Sequence, residues 1–211
     1  MKIISTNTSK PKTIIWNDKP VVTGIYKTPT SAPIYLGKSD VENDTVTDRK
    51  YHGGEFKACY LFSEDHYAYW KTLYPNLEWN WGMFGENLTV AGLDETKIHV
   101  GDIYSVGNAR IQITEHREPC FKLGVKFGTQ NVLKQFINHG FPGTYIRVLN
   151  EGTAQSGDTF KLIEQAENSL TTTALFKLIF DKEKNQDHLK RAVSNEALPI
   201  KLRNDLKKHL K

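Results

Sequence analysis

The sequence predicts a mainly β chain with some α: a closed or half-closed β-barrel over residues 1–165, then a small three-helix unit over residues 166–211. Two patterns carry this. Up to residue 165 the apolar residues fall in short β-branched and aromatic runs bounded by turns, as in barrels. Beyond it they fall at helical spacing. A length of 211 residues suffices for one full core and an appendage.

Taken in order, Val21–Tyr26 and Lys57–Phe62 are β-branched and aromatic and read as strands. Ser63 offers a capping residue to a helix carrying Tyr67, Tyr69, Trp70 and Leu73, which Pro75 ends. Ile103–Thr114 reads as a hairpin whose turn, Gly107-Asn108, supplies the positive-φ positions. Asn131–Asn138 places Val132, Leu133, Phe136 and Ile137 on one helical face, with Gly140 as its stop. Thr144–Leu149 alternates as a strand and runs into a turn at Asn150-Glu151-Gly152; Thr159–Ile163 closes the series. In the C-terminal unit, Leu175, Leu178 and Ile179 mark one helix, and Leu189 and Val193 a second. Leu198, Leu202, Leu206 and Leu210 mark a third, with Pro199 suited to its first turn. Helices this short bury little alone, so they are expected to pack together or onto the barrel.

Composition narrows the function. With 38% hydrophobic and 25% charged residues the chain is too apolar for a disordered protein. No run approaches the ~18 apolar residues of a spanning helix, and the N-terminus lacks a signal-peptide stretch. A soluble, cytoplasmic protein with reduced thiols and no membrane partner is expected. The net charge of +4 is unevenly spread, since Lys182–Lys211 holds nine basic against four acidic side chains. This reads as a solvated helical face. The aromatic and basic interleaving of a single-strand binder is absent, so nucleic acid is not the expected partner. Apolar surface on the helices leaves a homodimer open.

Four polar clusters interrupt the barrel pattern, at 51–57, 84–88, 115–123 and 140–148. Each sets glycine or proline beside charged or reactive side chains, and glycine lets backbone N–H groups approach an anion. Cys120 is the sharpest candidate: it follows Pro119 and lies between Arg117 and Lys122, and cations favour the thiolate that acts as nucleophile or soft-metal ligand. Cys59, inside an apolar strand, reads as core. A structural zinc site is not expected, because there is no Cys-x-x-Cys and Pro119 keeps His116 and Cys120 off one helical face. Phosphate-binding and dinucleotide glycine loops are absent.

In this order, the clusters resemble the MOSC family: His-Gly-Gly at 52–54, Gly-Glu-Asn-Leu at 85–88, Gly-Asp at 101–102, Arg-x-Pro-Cys-x-Lys at 117–122, and Gly-x-x-Gly-x-Tyr-x-Arg-Val at 140–148. The likeness extends to members in which the barrel is followed by three helices. It implies a fold like the barrel domain of pyruvate kinase and a molybdenum cofactor, with Cys120 as the protein ligand to molybdenum. It also implies reduction of N-hydroxylated compounds, including hydroxylaminopurine-type bases. Glu55-Phe56 and Glu115-His116 depart from the family's common residues. Within that reading Gly53, Gly54 and Gly85 supply backbone N–H groups, while Lys57, Arg117, Lys122 and Arg147 meet the pterin phosphate. Glu86 and Asn87 would hydrogen-bond the pterin or a metal oxo group, and His52 would act as a donor or proton source. Lacking a flavin, iron–sulfur or nicotinamide motif, the chain would need a separate electron-donor reductase, with the basic helices as one possible docking face. Two alternatives use the same residues: a Cys120 persulfide that transfers sulfur, or a non-catalytic cofactor carrier.

Overall fold

Residues 1–49 and 51–211 are described by the structure, a computed structural model. The chain begins with β1 (Lys2–Thr8) and a hairpin of β2 (Lys12–Trp16) and β3 (Lys19–Thr23). Asn17 and Asp18 make its two-residue turn at positive φ (49° and 60°), the geometry that matches strand twist. Next come β4 (Thr28–Thr30), β5 (Ile34–Leu36), β6 (Cys59–Ser63), α1 (Tyr67–Leu73) and β7 (Leu88–Ala91). These are followed by β8 (Ile103–Val106), β9 (Ala109–His116), α2 (Phe121–Phe127), α3 (Asn131–His139), β10 (Thr144–Asn150), β11 (Gly152–Ala154) and β12 (Lys161–Glu164). The chain ends in α4 (Thr172–Phe180), α5 (Gln186–Ser194) and α6 (Ile200–Lys207).

Eight strands form one sheet in the order β12-β8-β9-β10-β6-β7-β1-β4. Only the β6–β7 pair is parallel. The sheet curls until β1, its last strand but one, meets the segment leading into β12. Lys2 bridges Thr159, and backbone bonds join Ile3 N–H to Asp158 (2.8 Å) and Phe160 N–H to Met1 (3.0 Å). Closure satisfies backbone groups that an open edge would leave exposed.

Strand alternation then sorts side chains into two layers. Cys59 and Leu61 join Ile3, Leu88, Ile111, Ile113 and Ile146 in an aliphatic barrel core. Tyr60 and Phe62 face the other way, into an aromatic layer with Trp70, Phe84, Phe127, Phe136 and Tyr145. Burying each such ring is worth ~1.5–3 kcal/mol. A third cluster unites α4, α5 and α6 through Leu175, Leu178, Leu189, Ala192, Leu198 and Leu206, with Val100 contributed from outside the helices. Thr171 and Asn185 cap α4 and α5 with side-chain oxygens.

The elements differ from expectation in informative places. The strand expected over Val21–Tyr26 stops at Thr23, because Gly24 turns inward against Thr45; a Cβ there would lie 1.9 Å from the Thr45 carbonyl oxygen. Ser63 precedes a 3₁₀ turn (Glu64–His66) and makes no side-chain cap. Of the β8–β9 turn residues only Gly107 has positive φ (52°). Helix α2 was not anticipated: its sequence Phe-Lys-Leu-Gly-Val-Lys-Phe alternates apolar and other residues like a strand, and Gly124 is a weak helix former.

Candidate functional site

A hollow of about 640 Å³, its mouth included, opens beside the aromatic layer. Its walls are residues 23–27, a strap over residues 44–48, and the loops at 52–57, 84–87 and 117–122. Two glycines make this closeness possible. Gly53 (φ 87°) would place a Cβ 2.9 Å from Val46 Cγ1, and Gly85 (φ 82°) one 3.0 Å from Ile25 Cγ1. Any larger residue would push the strap or Ile25 into the cavity.

The sequence-derived residues His52, Gly53, Lys57, Gly85, Asn87, Arg117, Cys120 and Lys122 all line this hollow. Cys120 is half-buried in extended backbone directly before α2. Arg117 is 4% exposed, lies over the rings of Tyr60 (5.3 Å) and Phe136 (5.5 Å), and leaves Nη1 buried with no hydrogen-bond partner. Among the described residues, neither Arg117 nor Lys122 has a carboxylate within ion-pairing distance. A buried charge without a counter-charge is costly, and an anion in the hollow would offset it. Burial and the cations Arg117, Lys122 and Lys57 push His52 down to about 4, leaving a neutral imidazole at pH 7. Burial also holds Tyr145 up at about 12, despite the opposing pull of Arg117.

Three expected site residues lie outside the hollow, each engaged elsewhere. Glu86 is fully buried and accepts from the Tyr67 hydroxyl, from Gly82 N–H (2.9 Å), Phe84 N–H (3.0 Å) and the Thr89 hydroxyl (2.9 Å). Its oxygens are spent holding the 82–86 loop and cannot serve a cofactor. Arg147 donates from Nε to Gln112 (2.6 Å), lies over Phe56 and approaches Glu55 (3.6 Å), one step further along the face of β10 that carries Tyr145 and beyond the hollow. Gly54 donates its N–H to Ser39 (3.0 Å) and starts the 3₁₀ turn at Glu55–Lys57. Asn87 lines the hollow, but its amide already serves Asp44 (2.8 Å), Asn7 and Tyr60. Lys57 is likewise engaged, with Glu115 (3.4 Å) and the Tyr51 carbonyl (3.1 Å).

Sequence reasoning missed the floor. Lys27 and Asp44 form a buried ion pair there, and Asp44 also accepts from Ser9 N–H (2.9 Å). Tyr60 and Tyr145 complete the wall. No local motif marks these residues; the barrel brings them together. A second hollow of about 780 Å³ shares Asp48, His52, Lys57, Cys120, Lys122 and Tyr145 with the first and adds Tyr51, Glu118, Pro119 and Phe121.

A family model described as MOSC domain matches residues 48–161. The Bacillus subtilis (strain 168) protein named "Uncharacterized protein YflK" is 33% identical over 93% of this chain and 88% of its own length. A Gibberella moniliformis protein named "Reductase" is 32% identical over 69% of this chain, a stretch that makes up 26% of that longer protein. The crystal structure of YiiM from Geobacillus stearothermophilus superposes with a TM-score of 0.83 at 33% identity, covering 100% of this chain and 99% of that one.

Proposed function

The chain belongs to the MOSC domain family, and on that premise we propose that it binds the molybdenum cofactor and reduces N-hydroxylated compounds, with Cys120 as the protein ligand to molybdenum. One observation carries the reading: the buried guanidinium of Arg117, whose Nη1 has no hydrogen-bond partner, shares a hollow with Cys120 and Lys122. Among the described residues no three His, Cys, Asp or Glu side chains converge on a metal. A metal held through Cys120 would therefore arrive with ligands of its own, as molybdenum bound to an anionic pterin dithiolene does. The residues present fit that group. Bound there, it would supply two-electron redox chemistry at a metal with affinity for oxygen.

The chain's own residues would do the rest. Arg117 and Lys122 would neutralise the anionic group, with the backbone at Gly53 able to approach it, whereas the Gly85 N–H donates to the Gly82 carbonyl (3.0 Å). Asn87 and Lys27 hold Asp44, and with it the strap that walls the hollow. His52 is neutral while the cations beside it are uncompensated. An anion that offsets Arg117 and Lys122 would relieve the cationic part of that shift while burial, its larger cause, remains, so His52 would hold or pass a proton more readily when the site is loaded. The overall reaction is R–NH–OH + 2 e⁻ + 2 H⁺ → R–NH₂ + H₂O, in which the N–O bond breaks. The electrons come from a separate electron-donor protein, in a reducing, cytoplasmic setting. The relative named "Reductase" and the likeness to YiiM support this reading.

The test is reduction of a hydroxylaminopurine-type base by protein from a cofactor-competent host, with a chemical reductant replacing the donor. Wild type is expected to form the amine and Cys120→Ala none, both having the same far-UV circular dichroism. Equal turnover by both would refute Cys120 as the ligand.

A further inference from the structure

Lys122 and Lys126 stand one turn apart on α2, so their side chains leave the helix on the same side. Lys122 lines the inner of the two hollows, the one that holds Arg117, whereas Lys126 lies outside it. The Lys126 ammonium donates instead to two backbone carbonyls, those of Gly82 (2.9 Å) and Ile25 (3.1 Å). These carbonyls belong to different walls. Ile25 and Lys27 line the hollow on one of them, and the loop that Gly82 opens carries Phe84, Gly85 and Asn87 into it on the other. The two walls meet closely here: a Cβ on Gly82 (φ 83°) would lie 2.8 Å from the Lys27 carbonyl oxygen. Tyr26 completes the enclosure, its ring centroid 5.4 Å from Lys126 Nζ and 4.0 Å from Lys12 Nζ. One ammonium thus joins the helix that follows Cys120 to two further walls of the same hollow.

Resting on the anion site of the proposed function, we infer that Lys126 is a positioning residue: it clasps α2, and with it Cys120 and Lys122, to the Ile25 and Gly82 walls, and so sets the width of the hollow that the anionic group enters. An ammonium suits this role, because it offers three N–H donors and carbonyls only accept. The clasp also brings charge to the site. Burial pushes Lys126 down to about 8; the Glu86 carboxylate opposes this, and the cations Arg117, Lys27 and Lys12 reinforce it. Lys27 is paired with Asp44, and Glu86 is held by its own loop. Arg117 is therefore the neighbour whose charge a bound anion would offset. An anion in the hollow raises the proton affinity of Lys126, and by reciprocity a protonated Lys126 raises affinity for the anion. Above about pH 8, where the ammonium gives up its proton, anion binding weakens.

The probe is sulfate, a dianion at every pH used, titrated calorimetrically into the full chain from a host that makes no molybdenum cofactor. Arg117→Met, run alongside, assigns the binding to the hollow. Lys126→Met is expected to weaken sulfate binding ~3–10-fold at pH 7, whereas Lys126→Arg stays within ~3-fold of wild type. Between pH 7 and pH 9 wild type is expected to lose at least ~3-fold more affinity than Lys126→Arg, whose guanidinium keeps its proton. A lysine that merely packs would leave those two pH profiles parallel. Equal affinity in wild type and Lys126→Met, or parallel profiles for wild type and Lys126→Arg, would overturn the inference. If Lys126→Met does not fold, the Arg comparison decides alone. Wild type with no saturable sulfate binding would overturn this inference and the anion site together. The expected sulfate results in a protein that takes up neither molybdenum nor pterin from a cofactor-competent host would count against the proposed function alone.

Discussion

Strand β6 divides two regions of opposite chemistry, and each holds one of the chain's two cysteines. Cys59 faces the aliphatic barrel core beside Ile146, is 1% exposed, and has its thiol pushed up by burial. Cys120 is half-buried where two hollows meet, with Arg117 and Lys122 lining the inner one. The same side chain is filler in one place and, in the proposed function, the metal ligand in the other. What differs is the charge and access supplied by neighbours, and those come from the loops that the barrel gathers at its mouth.

The comparison breaks most sharply under substitution. Cys120→Ala is expected to cost more than the ~100-fold typical of groups that merely support a metal ligand, with little change in stability. Cys59→Ala is expected to keep turnover and lose ~1 kcal/mol of stability through a small cavity, read as a lower urea midpoint. Alkylation sharpens the contrast without mutation. Iodoacetamide followed by mass spectrometry is expected to label Cys120 at least ~100-fold faster than Cys59, which reacts only when the sheet opens.

Arg117 tests the charge rather than the sulfur. Arg117→Met is expected to lower molybdenum and pterin content ~10-fold or more while raising the stability of cofactor-free protein by ~1–3 kcal/mol, because an uncompensated buried charge is removed. A variant that loses both stability and cofactor would show that Arg117 is structural.

The smallest effect concerns His116, one turn of chain away and wedged against Phe176 (5.3 Å) with neither ring nitrogen partnered. The folded protein refuses its proton until about pH 3, whereas the unfolded chain takes it near 6.5. Between those values the unfolded state binds more protons, so stability falls as pH drops from 6.5 to 3 and levels off below. His116→Leu is expected to flatten that slope and add ~1–2 kcal/mol at pH 5, measured by denaturant titration.

Much of this was legible beforehand where chemistry is local. Arg117, Cys120 and Lys122 sit within one short segment, and the glycines beside His52 and Asn87 mark close backbone approaches. Glu86 was misplaced because adjacency in sequence does not say which way a side chain turns, and Arg147 because a strand carries it past the hollow to Gln112 and Glu55. Phe84, Gly85 and Asn87 reach the hollow while Glu86 turns back to its own loop. Lys27, Asp44, Tyr60 and Tyr145 were invisible for the opposite reason. They are far apart in the chain, and only barrel closure assembles them. Helix α2 escaped because an alternating pattern with a central glycine mimics a strand, and packing of Leu123 and Phe127 into the aromatic layer overrides it.

The central claim is that the cationic hollow at Cys120 houses a molybdenum–pterin group. Its most direct test is the molybdenum and pterin content per chain of wild-type protein from a host that makes the cofactor. The account predicts close to one of each, with molybdenum lost in Cys120→Ala; wild-type protein that is folded and yet carries neither would contradict it.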